Sequence, residues 1–107
     1  MKLLFVCSQN RLRSPTAEAV FSDYPGIETM SAGTNHDAEN PMSADLIEWA
    51  DVVLVMEKSH RNKLVAKYKS EFKSKRLVVL DIPDEYEYMD PELIRILKAK
   101  VPRYVRL

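Results

Sequence analysis

Three short runs of consecutive apolar residues set the limits on what this chain can fold into. They cover residues 3–6, 52–56 and 77–80, and a less apolar strand-like segment covers residues 27–30. Continuous rather than alternating apolar character is typical of parallel strands that are buried on both faces. Since helical segments separate the runs, the pattern predicts a three-layer α/β/α fold, with a four-stranded parallel sheet and helices on both faces.

Residues that are common at helix N-termini precede the helical segments between these strands. Pro15 follows Ser14 directly, which predicts a first helix with Ser14 as its N-cap and Pro15 in its first turn. A second helix is predicted from Pro41, a third over residues 58–69 and a last one from Pro91. In sheets of this kind ligands bind beyond the carboxyl ends of the strands, so the loops that follow the strands are the candidate site.

Length and composition narrow the possible functions. The 107 residues form one domain, residues 1–107, which is long enough to bury a core. Sixteen basic and sixteen acidic residues balance without long runs of one sign, which argues against a dedicated nucleic-acid binder. Cys7 is the only cysteine, which excludes an internal disulfide and a Cys-rich zinc site. His36 and His60 have no partners at metal-ligand spacing, so no metal is expected.

The N-terminal apolar run is too short for a signal peptide or a membrane span. A membrane partner is therefore not expected. A reactive thiol persists best in a reducing compartment, so we expect the chain to be cytoplasmic.

The loop after the first strand carries the residues that indicate chemistry. A lone cysteine is usually a small buried apolar residue, but Cys7 opens a polar loop that leads into a helix. Backbone N–H groups, a helix N-terminus and the Arg13 guanidinium would all favour a thiolate and a bound anion there. Arg13 itself is unfavourably placed at a helix start unless an anion compensates it. The predicted phosphate-binding residues are Ser8, Gln9, Asn10, Arg11, Leu12, Arg13 and Ser14.

The sequence suggests roles for two further features of this loop, Ser14 and Asn10. Ser14 is either only the N-cap of the first helix or also a hydrogen-bond donor to the thiolate. Asn10 suits a position with left-handed backbone geometry, which Asn tolerates better than most residues.

The loop after the last strand supplies candidate acids. Asp81 follows the strand directly, Asp84 lies in the loop, and Asp90 precedes a proline and is better explained as an N-cap. Position alone does not separate Asp81 from Asp84 as the group that would protonate a leaving oxygen. Tyr86 and Tyr88 are either ordinary loop packing or a rim that stacks on an aromatic substrate group.

Taken together, the motifs resemble the low molecular weight protein tyrosine phosphatases. Cys7, five residues and then Arg13-Ser14-Pro15 after the first strand match the signature of that family. Residues 31–34 are similar to its Ser-Ala-Gly-Thr turn, residues 51–56 to its Asp-apolar-Met strand, and residues 81–86 to its late acid loop. The matches span nearly the whole chain in the same order.

The resemblance implies hydrolysis of phosphotyrosine or another aryl phosphate ester, without a cofactor. Cys7 would attack phosphorus and form a cysteinyl-phosphate, while Arg13 and the loop amides hold the phosphoryl oxygens. The family pattern favours Asp84 over Asp81 as the acid. By the same matching, Asn10 and Ser31 would brace the loop and Ser14 would stabilise the thiolate. The expected partners are a phosphotyrosine protein or a small aryl phosphate, and inorganic phosphate.

The chain departs from the family pattern in the loop of Cys7, in the acid loop and in the segment after Thr34. Gln9 and Leu12 stand where members often have Gly and a second Cys, and Glu85 replaces a proline. The segment between Thr34 and Pro41 is shorter than usual by roughly a helix, so a more open pocket is expected. Two alternatives follow: a non-catalytic or weakly active phosphate-binding regulatory module, and arsenate reduction, which the lack of further cysteines disfavours.

Overall fold

The computed structural model describes residues 1–107, and the fold alternates strands and helices along the whole chain. The elements are β1 (Lys2–Cys7), α1 (Arg13–Phe21), β2 (Glu28–Gly33), α2 (Ala44–Trp49), β3 (Val52–Val55), α3 (Lys58–Lys67), β4 (Arg76–Val79) and α4 (Pro91–Lys100), with a final 3₁₀ turn at Val101–Arg103. No helix combines the length and apolar character needed to cross a membrane.

The four strands form one parallel sheet in the order β2-β1-β3-β4. Phe5 lies between Ser31 of β2 and Leu54 of β3, so β1 is a central strand. The predicted three-layer α/β fold with a four-stranded parallel sheet is confirmed. The order also brings the carboxyl ends of β1 and β3 side by side, with the end of β4 next to β3.

Side chains of β1 alternate between two apolar cores, one on each face of the sheet. Leu3, Phe5 and Cys7 face a core that includes residues of α1 and α4. Leu4 and Val6 face the second core, on the side of α2 and α3. Residues 3–6 are completely buried, which explains why this run is apolar at every position. Cys7 therefore leaves the sheet on the face that α1 covers.

Two predicted helix starts are corrected by the structure. Helix α1 begins at Arg13 after Leu12, whose backbone (φ −120°, ψ −71°) occupies the N-cap position without a side-chain cap. Ser14 is thus inside the first turn, and its hydroxyl is used elsewhere. Helix α2 begins at Ala44 rather than Pro41, because the Ser43 hydroxyl provides the cap by accepting from the backbone of Leu46.

The last helix starts as predicted. Asp90 caps α4 by accepting a hydrogen bond from the backbone N–H of Glu92 at 2.9 Å, and Pro91 occupies the first turn. The N-cap interpretation of Asp90 is therefore confirmed.

Candidate active site

A small cavity opens where β1 ends and α1 begins. Its volume is about 200 Å³, and its lining comes from the loop at residues 7–13 and from one residue of the loop after β4. The lining residues are Cys7, Ser8, Gln9, Arg11, Leu12, Arg13 and Asp84. The fold thus brings the distant carboxyl group of Asp84 to the thiol and the guanidinium of the loop.

A hydrogen-bonded chain fixes the Cys7 thiol. Cys7 Sγ lies 2.9 Å from Ser14 Oγ, and Ser14 Oγ lies 2.9 Å from Asn10 Oδ1. The Ser14 hydroxyl has one proton, so it donates to Asn10 when Cys7 is a thiol and can turn to sulfur when Cys7 is a thiolate. Asn10 is buried and has a left-handed backbone (φ 58°), as the sequence predicts.

The Arg13 guanidinium is buried and held from one side. Its Nη1 donates to Glu57 Oε2 at 2.6 Å and to the carbonyl of Ile82 at 2.8 Å. These are its only hydrogen bonds to the protein, and Nε lies 3.7 Å from Asp84 Oδ1. The Nε and Nη2 groups therefore remain free to donate to a ligand in the cavity, in the paired geometry that suits phosphoryl oxygens.

The loop after β4 brings Asp84, not Asp81, to this cavity. The backbone N–H of Ile82 donates to the carbonyl of Met56 at 2.8 Å, which continues the strand pairing beyond β4 and holds the loop beside Arg13. Asp84 follows as an exposed carboxylate on the cavity wall. Asp81 has a left-handed backbone (φ 56°) and lines a separate cavity with Glu57.

Other predicted site residues lie outside the cavity. Tyr86 is half-buried against the core on the α1 and α4 side, and Tyr88 is 53% exposed. Neither lines the cavity of Cys7, and their rim role stays a prediction. The Ser31 hydroxyl contacts the Glu18 carboxylate of α1, and the Ser31 carbonyl accepts from Asn40 at 2.6 Å. Ser31 therefore ties β2 to its neighbours without touching the loop of Cys7 directly.

The short segment after β2 supports the loop of Cys7 from behind. Three backbone N–H groups donate to carbonyls of that loop: Thr34 to Cys7 at 2.9 Å, Asn35 to Ser8 at 3.1 Å and Glu39 to Gln9 at 3.1 Å. Gly33 makes this approach possible, because a Cβ there would lie 2.4 Å from the Ala38 Cβ and 2.5 Å from the Ser8 carbonyl oxygen. The loop's shape thus depends on a glycine beside it.

The sequence did not predict the contacts of two further candidates, Glu57 and His60. Both follow β3 at the same sheet edge, and Glu57 pairs with Arg13. The His60 ring is buried, with Nδ1 3.0 Å from the backbone nitrogen of Glu57 and Nε2 2.9 Å from Ser8 Oγ. Burial, followed by the nearby charge of Arg13, lowers the pKa of His60 from 6.5 to about 4. The sequence feature that could have indicated these two residues is their position shortly after the buried strand β3.

No other part of the structure groups a comparable set of reactive side chains. No group of three or more His, Cys, Asp or Glu side chains is arranged to hold a metal ion. The largest cavity, about 650 Å³, lies between residues 34–42 and α3, and none of the predicted catalytic residues lines it. The predicted catalytic residues Cys7, Arg13 and Asp84 line the smaller cavity instead.

Comparison with known proteins agrees with this site. The sequence model of the low molecular weight phosphotyrosine protein phosphatase family matches residues 2–49, which contain the complete loop of Cys7. The search of curated proteins gave no match. The resemblance that the sequence motifs indicate is confirmed.

Solved structures share the fold over nearly the whole chain. A low molecular weight protein tyrosine phosphatase from T. tengcongensis has a TM-score of 0.76 and 24% identity, over 96% of this chain and 99% of its own. The tyrosine phosphatase Wzb from Escherichia coli K30, in complex with phosphate, has a TM-score of 0.75 and 21% identity, over 96% and 94%. The YwlE arginine phosphatase from Geobacillus stearothermophilus has 0.74 and 23%, over 91% and 88%.

Proposed function

We propose that this chain is a cysteine-dependent phosphatase of the low molecular weight phosphotyrosine protein phosphatase family, and that it hydrolyses phosphotyrosine or other aryl phosphate esters. The observation that carries the proposal is the cavity in which Cys7, Arg13 and Asp84 meet. The family match over residues 2–49 supports the same chemistry. A phosphorylated substrate and inorganic phosphate are the expected ligands.

The loop at residues 7–13, which includes Arg13, would bind the phosphoryl group. A phosphoryl group in the cavity would accept hydrogen bonds from backbone N–H groups of residues 8–13 and from the free Nε and Nη2 of Arg13. Because Glu57 and Ile82 already hold Nη1, the guanidinium needs little reorganisation when the anion arrives. Such preorganised donors lower the free energy of the charged transition state.

In the first step the Cys7 thiolate attacks phosphorus, and the bond from phosphorus to the ester oxygen breaks. Asp84, protonated at this stage, gives its proton to the leaving oxygen. The Ser14 hydroxyl lies 2.9 Å from the sulfur and would donate to the thiolate before attack. The product of this step is a cysteinyl-phosphate and a free alcohol or phenol.

In the second step water replaces sulfur on phosphorus. Asp84, now a carboxylate, takes a proton from the water that attacks phosphorus, and the bond from sulfur to phosphorus breaks. The thiolate regains the Ser14 hydrogen bond and inorganic phosphate leaves. The exposure of Asp84 supports this double role, because bulk water reaches its carboxyl group.

Two observations bear on which phosphorylated group the chain would accept. Solved structures with this fold include tyrosine phosphatases and an arginine phosphatase. Neither Tyr86 nor Tyr88 lines the cavity of Cys7, and none of its lining residues is aromatic. This observation favours one alternative, a weakly active or non-catalytic phosphate-binding module on the same scaffold. We also propose a cytoplasmic location, which a lone unprotected nucleophilic thiol supports.

The test is steady-state hydrolysis of p-nitrophenyl phosphate, phosphotyrosine and phosphoarginine by the full chain, with calorimetric binding of inorganic phosphate. We expect turnover of the aryl esters, inhibition by vanadate, and loss of turnover in Cys7→Ser with phosphate binding retained. Turnover that survives Cys7→Ser would refute a cysteine mechanism. Phosphate binding without any turnover between pH 5 and 8 would favour the binding module.

A further inference from the structure

The hydrogen bonds of His60 determine which ring nitrogen carries its proton. Nδ1 lies 3.0 Å from the backbone nitrogen of Glu57, which can only donate, so Nδ1 must accept and carries no proton. The single proton of the neutral ring is then on Nε2, 2.9 Å from Ser8 Oγ. His60 is therefore the donor and Ser8 the acceptor in this contact.

The surroundings keep the His60 ring neutral at the pH of most cells. Burial is the main cause of the lowered pKa of about 4, and the Arg13 and Lys63 charges act in the same direction. The carboxylates of Glu57 and Asp84 oppose this shift but do not cancel it. One tautomer, with the proton on Nε2, is thus the resting form.

This tautomer leaves the Ser8 hydroxyl proton without a partner in the protein. The contact with His60 is the only hydrogen bond of the Ser8 side chain, and there Ser8 accepts. Ser8 also lines the cavity that holds Cys7 and Arg13. Because Ser8 lines the cavity and its hydroxyl proton has no acceptor in the protein, that proton is available to an acceptor bound there.

We propose that the Ser8 hydroxyl is a side-chain donor to the phosphoryl oxygens of the bound substrate, and that His60 is the residue that positions it. The proposal rests on the function proposed above, since it requires an oxyanion in the cavity. It adds to the backbone amides and Arg13 a third kind of donor. A hydrogen bond to a charged oxygen is worth more than a neutral one, so its loss is measurable as weaker phosphate binding.

His60 also has a purely structural role, from which the proposal must be separated. Its Nδ1 completes a capping box with Glu57 at the start of α3. His60→Asn can place an amide oxygen near the Nδ1 position and so keep the cap, but it is too short to reach Ser8. His60→Gln can place an amide NH₂ near the Nε2 position and so keep the donor, but it loses the cap. The two variants separate the two roles.

The experiment measures inorganic phosphate affinity by calorimetry and thermal stability on the full chain. The variants are Ser8→Ala, Ser8→Thr, His60→Asn, His60→Gln and the double variant Ser8→Ala/His60→Asn. We expect Ser8→Ala and His60→Asn each to weaken phosphate binding by about tenfold. Ser8→Thr and His60→Gln should stay near wild type in phosphate affinity. The double variant should be no weaker than Ser8→Ala, because His60 acts through Ser8.

Each outcome supports or overturns one named role of Ser8 or His60. Unchanged phosphate affinity in Ser8→Ala overturns the donor role, while the phosphatase proposal stands if wild type still turns over. Loss of affinity in His60→Gln, with His60→Asn like wild type, overturns the positioning role in favour of the cap. Wild type that neither binds phosphate nor hydrolyses an aryl ester overturns both proposals. If His60→Asn fails to fold, Ser8→Ala against Ser8→Thr still tests the donor.

Discussion

At the scale of single residues, the site depends on which polar groups are already committed to the protein. Arg13 uses only Nη1 in hydrogen bonds, to Glu57 and the Ile82 carbonyl, so Nε and Nη2 make no hydrogen bond to the protein. Cys7 and Asn10 share the Ser14 hydroxyl, which gives the thiol a ready hydrogen-bond donor on ionisation. The two candidate acids differ in their position, since Asp84 lines the cavity with Cys7 and Asp81 does not.

The acid assignment predicts a selective effect of two matched substitutions. Asp84→Asn should lower kcat by about 10²–10⁴-fold with a leaving group of high pKa, because that oxygen needs a proton as it departs. The loss should shrink with a leaving group of low pKa. Asp81→Asn is the control, with the same charge change outside the cavity. Measurement of kcat across aryl phosphates of different leaving-group pKa checks this, and a larger loss in Asp81→Asn would contradict it.

The buried His60 predicts a pH dependence of stability. The pKa of His60 is about 4 in the folded chain and near 6.5 in the unfolded chain, so between these values only the unfolded state binds the proton. The stabilisation is complete above pH 6.5 and falls as the pH drops toward 4, by about 1.4 kcal/mol per pH unit from this group. Its surroundings include the charges of Arg13, Glu57, Lys63 and Asp84.

His60→Asn is the control for that slope. The variant retains the carboxylates that also titrate in acid but lacks the imidazole. Urea unfolding at several pH values should therefore give a shallower loss of stability in His60→Asn than in wild type. Equal slopes would show that the imidazole does not contribute.

At the scale of elements, the segment after β2 holds the loop of Cys7 in shape. Gly33 lets residues 34–39 approach closely enough to donate to three loop carbonyls. Since one obstacle to a larger residue is the backbone carbonyl of Ser8, the neighbour cannot simply rotate away. This segment therefore supports the site although none of its residues lines the cavity.

Gly33→Ala should therefore disturb both stability and binding. We expect a loss of about 1–3 kcal/mol in the free energy of unfolding, because the added methyl overpacks a filled space. Phosphate affinity should fall as well, since the loop must shift. Gly26→Ala is the matched control: Gly26 has φ +77° with nothing within 4 Å of an added Cβ, so its cost is conformational and phosphate affinity should not change. An unaltered phosphate affinity in Gly33→Ala would argue against this coupling.

The cap of α4 gives a separate prediction about an element far from the chemistry. Asp90→Ala removes the acceptor for the Glu92 backbone N–H and should cost about 0.5–2 kcal/mol of stability. Asp90→Ser, which keeps a capping oxygen, should recover most of that loss. Urea denaturation measures both variants, and equal stability of Asp90→Ala and wild type would contradict the cap.

At the scale of the whole molecule, the fold was predictable because its strands are short, apolar throughout and spaced by helices. The runs at residues 3–6, 52–56 and 77–80 fixed the parallel sheet, and the loops at its carboxyl edge indicated Cys7 and Arg13. The contacts of Glu57 and His60 were not predictable, because they join the start of α3 to the start of α1 and to Ser8, segments that no periodicity relates. Spacing also did not distinguish Asp81 from Asp84, since it does not say which carboxylate lines the cavity of Cys7.

The central claim, a phosphoryl group carried on Cys7, is tested most directly by trapping it. The Asp84→Asn variant should slow the water attack that releases phosphate, since its amide cannot accept the proton. Rapid acid quench during turnover of p-nitrophenyl phosphate, followed by peptide mass spectrometry, should find one phosphoryl group on the peptide that contains Cys7. Continued turnover with no phosphoryl group on Cys7 at any quench time would contradict the mechanism.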